Sequence, residues 1–85
     1  MMHFKLTDHA RKELVRRQIP QSVLDMVLAR PEQIVPETAG RKAYQSKIDI
    51  HGKMFLIRAI VDDTVSPTVV ITVYRTSKIS KYWRT

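Results

Sequence analysis

A chain of 85 residues makes one small domain, near the lower limit for burying a self-sufficient core. Its 44% hydrophobic and 27% charged residues exclude a disordered chain, and the lack of cysteine excludes disulfides and thiolate metal sites. The net charge of +7 sits at the two ends: +3 over residues 1–30, zero over 31–67 and +4 over 68–85, which suits nucleic acid or an acidic protein if the fold brings the ends together.

The opening MMHFKLTDHA has no apolar run resembling a signal peptide. The longest aliphatic or aromatic stretch, MFLI, falls far short of the about 20 residues a membrane span needs, so a soluble cytoplasmic protein is expected. Thr7 reads as the N-cap of a first helix, with Asp8 favourable to its dipole. Ala10, Leu14 and Gln18 fall together at helical spacing with Val15 flanking them, which predicts a narrow apolar stripe. His9, Glu13, Arg16 and Arg17 lie on the other side. Pro20 opens a second helix over QSVLDMVLAR at its first position, and Pro31 stops it, giving a helical hairpin.

The remainder reads as strands. EQIVPE is short, and Pro36 confines it to an edge. KAYQSKIDI alternates, with Tyr44, Ser46, Ile48 and Ile50 opposite Ala43, Gln45, Lys47 and Asp49. His51–Gly52 is a two-residue hairpin turn. KMFLIRAIVDD is apolar on both faces except at Arg58, as a central strand would be, and TVVITVY follows the turn DDTVSP. SKISKYWRT predicts a final helical turn capped by Ser77, with Ile79 near Tyr82 and Trp83. The expected class is α+β: two N-terminal helices packed on one face of a three- to four-stranded antiparallel sheet, with a short C-terminal helical turn.

Three features bear on chemistry. His3, His9 and His51 are far apart, with no acid at ligand spacing, so no metal site or cofactor is expected. His9, in the first turn of helix 1 with Glu13 one turn on, is either a general base or a histidine that packs and caps the helix. Arg58 must pair or emerge on an open sheet face. Nothing in the chain is long enough to cover the face away from the helices, so Arg58 is expected there, with Gln45, Lys47, Thr72 and Tyr74 as candidate neighbours. An Arg fork beside a phenol and a lysine suits a phosphodiester, or equally a partner interface. Arg75, Lys78, Lys81, Tyr82, Trp83 and Arg84 interleave cations with aromatics, a mixture that grips single-stranded RNA or packs back on the sheet.

The stretches TDHARKELVRRQIP…VLDMVLARPEQIV and GRKAYQSKIDIHGKMFLIRAIVDD…VVITVYRTSKISKYW resemble a widespread family of short bacterial proteins of unknown function. Its members open with a Thr-x-His-Ala-Arg helix and close with Val-Tyr-Arg-Thr-x-Lys. That family resembles a branch of the RelE/ParE-like toxin superfamily, near the BrnT-like toxins. The resemblance implies two helices on an antiparallel sheet, ribonuclease activity on mRNA (in some members only on the ribosome) and neutralisation by a small antitoxin encoded nearby. The ParE-type branch instead inhibits gyrase. Arg58, Tyr74, Arg75, Lys78, Lys81 and Tyr82 match positions where the RNA-cleaving members place basic and aromatic residues, and His9 matches the N-terminal histidine.

The leading expectation is a metal-independent endoribonuclease toxin of a type II toxin–antitoxin pair. Arg58 and Arg75 are expected to stabilise the phosphate, with His9 or Tyr74 transferring protons. Arg16, Lys47, Lys78, Lys81 and Tyr82 are expected to hold RNA. The alternatives are a non-catalytic inhibitor of an acidic protein target and a plain interaction module.

Overall fold

The computed structural model describes residues 4–85, so His3 lies outside the described residues. The elements are β1 (Phe4–Leu6), α1 (Asp8–Arg16), α2 (Gln21–Ala29), β2 (Gln33–Pro36), β3 (Lys42–Ile50), β4 (Lys53–Asp62), β5 (Thr68–Thr76) and α3 (Ile79–Tyr82). They confirm the α+β class and correct its sheet, which has five strands in the order β1-β5-β4-β3-β2 and is mixed. β1 pairs parallel with β5, Leu6 beside Val70. Three residues are too few to display the alternation that marks a strand. Among the described residues, no helix is long and apolar enough to cross a membrane.

Thr7 holds the first helix in place twice. Its hydroxyl accepts from the Ala10 amide at 3.0 Å as an N-cap and donates to the Ile71 carbonyl at 2.9 Å. Ile71 is the extra residue of a β-bulge, since Ile60 pairs with Thr72 but Val61 pairs with Val70. The bulge lets Val70 and Val73, three residues apart, both face the helices. At the other end of α1 the Ile19 amide bonds the Leu14 carbonyl and the Gln18 amide bonds Val15, with Gln18 at φ 53°. This is a Schellman cap with Gln18 where glycine is common. It ends the helix before Gln18 and folds Ile19 into the core in its stead.

The stripe of α1 is therefore narrower than its spacing suggested. Ala10 and Leu14 are buried, but Val15 is 80% exposed, and Glu13 is buried along the flank nearer β5. Together with Leu24, Val27 and Leu28 of α2, Ala10, Leu14 and Ile19 pack on Ile57, Ala59, Val61, Val70 and Val73. The hairpin turn behaves as expected: His51 and Gly52 take φ 52° and 83°, and Asp49 accepts from the Gly52 amide. Ser77 does not cap α3. Lys78 occupies that position without a side-chain bond.

The second sheet face is covered, contrary to expectation. Val35, Ala43, Gln45, Leu56 and Arg58 are all buried on it. The cover is the chain's own C-terminal segment, Ile79–Arg84, which lies across β2, β3 and β4 as a strap. Ile79, Tyr82 and Trp83 are half-buried in it.

Candidate functional site

Arg58 lies at the centre of the covered face. Strand register places Gln45 on one side of it and Tyr74 on the other. Its Nε donates to Gln45 Oε1 at 2.8 Å, its Nη1 to the Tyr74 hydroxyl at 2.5 Å and its Nη2 to Glu37 Oε1 at 2.8 Å. The Tyr82 ring lies 4.4 Å from the guanidinium carbon. Gln45 in turn donates to Gln33 Oε1 and to the Tyr82 carbonyl, while Gln33 exchanges bonds with the backbone of Arg84. Two glutamines thus read the main chain of the strap and pin it over the arginine. Among the described residues no buried side-chain polar atom lacks a partner.

Helix α1 completes the site from the edge beyond β1. His9 Nε2 stands 3.1 Å from Thr72 Oγ1. Arg17 reaches across β5, its guanidinium carbon 5.9 Å from the Tyr74 ring centroid. Thr72 and Tyr74 share a face two residues apart, about 7 Å along the strand. His9, Thr72, Arg17, Tyr74 and Arg58 consequently form one row across the sheet edge. Burial pushes the Tyr74 phenol above its usual range, although the Arg58 guanidinium pulls it partly back. The hydroxyl accepts from Arg58, and the neighbouring Tyr82 also favours its protonated form.

Glu13 braces this row. Its two oxygens accept from Arg16 Nε at 2.6 Å, Arg16 Nη2 at 2.9 Å and Arg17 Nε at 3.1 Å. Those bonds hold its carboxyl down at about 2, against an ordinary 4.5. A depressed folded pKa stabilises fully above the unfolded value and is lost as pH falls through the folded one. Glu13→Gln should therefore be less stable than the parent at neutral pH, with the gap closing between about 4.5 and about 2. Urea melts of both proteins across that range check it, and a gap that does not change with pH would reject the pairing.

The expected site residues divide into four groups. Arg58, Tyr74 and His9 are brought to one row, but Arg58 is shielded rather than open. Arg75 pairs with Ile57 and so lies on the helix side of the sheet, stacked 4.7 Å from the Phe55 ring. It does not join Arg58. Lys78, Lys81 and Tyr82 belong to the strap, Lys81 Nζ lies 5.3 Å from the Tyr82 ring, and Lys47 Nζ lies 4.0 Å from Trp83. Arg16 stands on the exposed side of α1, held by Glu13. The residues that composition and spacing did not single out are Glu37, Gln33 and Arg17, whose roles arise from contacts distant in the chain or across an edge.

A sequence-family model described as Domain of unknown function (DUF4258) matches residues 6–75. The chain belongs to that family. The DUF4258 match takes in every element from α1 to β4, runs into β5 as far as Arg75, and includes His9, Arg17, Arg58 and Tyr74. It ends before the strap. No curated protein and no solved structure matches the sequence.

Proposed function

We propose that this DUF4258 protein is the toxin of a type II toxin–antitoxin pair and cleaves RNA with its own side chains. The observation that carries the reading is Tyr74, a protonated phenol fixed by Arg58, with Arg17 against its ring and His9 two strand positions away. In this reading His9 takes the proton of a ribose 2′-OH, whose oxygen attacks the adjacent phosphorus. As the new O2′–P bond forms and the P–O5′ bond breaks, Tyr74 gives its proton to the leaving 5′-oxygen. The products are a 2′,3′-cyclic phosphate and a 5′-hydroxyl. Arg17 stabilises the phosphate in place of Arg58 and Arg75, because it reaches the row and only its Nε is engaged among the described residues. Arg58 is a positioning residue. Lys47, Lys78 and Lys81 line the strap side, where a strand of RNA would run.

The test is incubation of the purified protein, with EDTA, with a long mRNA both free and on translating ribosomes, followed by mapping of new 5′ ends. Discrete cuts are expected, reduced at least about a hundredfold in Tyr74→Phe and in His9→Ala. Intact RNA in both settings, or cuts that persist in both variants, would reject the ribonuclease reading.

A second reading rests on Arg58 itself. Each of its three nitrogens donates within the chain and Tyr82 covers its plane, so the row also makes sense as architecture behind a basic protein-binding face. That module would bind an acidic protein without cutting RNA.

A further inference from the structure

We infer that the outer corner of the α1–α2 hairpin is a docking surface for an acidic amphipathic helix of a partner protein. A shallow cavity of about 320 Å³ opens there, lined by Arg11, Leu14, Val15, Ile19 and Gln21. Leu14 and Ile19 are 6% and 4% exposed and form its floor, while Val15 stands at the rim. The Schellman cap that folds Ile19 back beneath Leu14 builds this hollow, so it is a product of fixed backbone geometry. A β-branched residue on an exposed helix flank contributes neither helix propensity nor core burial. Beside an apolar floor it extends a patch that a partner's aliphatic side chain would cover.

Charge selects the kind of partner. Arg11 and Lys12 stand four and three residues before Val15, and neither forms an ion pair among the described residues. The comparable hollow between α2 and β3, about 440 Å³, is lined by Arg30 and Lys47 against Glu32 and Asp49, so it expresses no preference for either sign. At the α1–α2 corner a partner helix would place an apolar side chain on Leu14 and Ile19 and a carboxylate one turn away on Arg11. Val15 lies about 120° around α1 from His9, so this surface and the row containing Tyr74 can be occupied independently. The inference does not depend on the ribonuclease reading.

The probe is a synthetic 16-residue helical peptide of glutamate and leucine with leucines at i, i+4 and i+7, titrated into the ¹⁵N-labelled full chain. Saturable shifts are expected at Leu14, Val15, Ile19 and Gln21, with affinity falling at least tenfold in Val15→Glu and in Arg11→Glu. A leucine-free glutamate–serine peptide and a lysine–leucine peptide should not saturate these positions. Equal binding of either control, no shifts with the probe, or shifts confined to the strap would overturn the inference. Shifts at the same four residues that grow with protein concentration alone would assign the surface to a second copy of the chain, and would equally overturn it.

Discussion

Replacing Arg58 by alanine is expected to lower the unfolding free energy by about 3–5 kcal/mol, the scale for removing one member of a buried charged network. The side chain is 4% exposed and bonds three residues from three separate segments. Alanine would leave Gln45, itself fully buried, without its donor, and Glu37 without its counter-ion. A domain of this size commonly has about 4–13 kcal/mol of total stability, so the variant would sit close to unfolding. Arg58→Lys should fall between, because an ammonium on a flexible stem cannot reproduce the three-way fork. Urea denaturation followed by the fluorescence of Trp83, the single tryptophan, reports both the global transition and loosening of the strap. An unchanged midpoint would show that the network does not hold the strap. Loss of activity in Arg58→Ala would therefore not separate chemistry from folding. A clean catalytic test belongs to Tyr74→Phe and His9→Ala.

Leu24→Ala is expected to cost about 2–5 kcal/mol, the range for emptying a fully buried aliphatic position. Leu24 is 0% exposed and is among the largest of the fully buried side chains. It belongs, with Val27 and Leu28 of α2, to the core cluster that includes Ile57 and Ala59 of β4. Short helices are marginal by themselves, so α2 depends on this contact. Met26→Ala on the same helix is the control: Met26 is 49% exposed, and its loss should stay within about 0.5 kcal/mol. Equal losses in the two variants would mean that the packed face of α2 is assigned wrongly.

The two differ in how far the sequence announces them. Leu24 is legible, because i,i+4 spacing between prolines marks an amphipathic helix whatever surrounds it. Arg58 is half legible. A lone charge in an apolar strand signals a needed partner, and alternation alone names Gln45 and Tyr74 as neighbours across the sheet. Glu37 and the covering Tyr82 are not legible, since they lie 21 and 24 residues away in segments with no repeating pattern. Arg17 escapes for a related reason: its place on the helix wheel says which side it faces, but not that α1 straddles the edge of β5.

By itself the sequence determined what depends on near neighbours along the chain: the capped first helix, the proline-bounded second, the β3–β4 hairpin with its His51–Gly52 turn, and the basic ends. The tertiary structure alone decided the parallel β1 edge, the exposure of Val15, the separation of Arg75 from Arg58 and the closing of the second face. Each of these turns on where distant segments meet. A strand three residues long, a bulge at Ile71 and a strap pinned by two glutamines carry no period of their own. Their energies appear only once the sheet has brought their partners together.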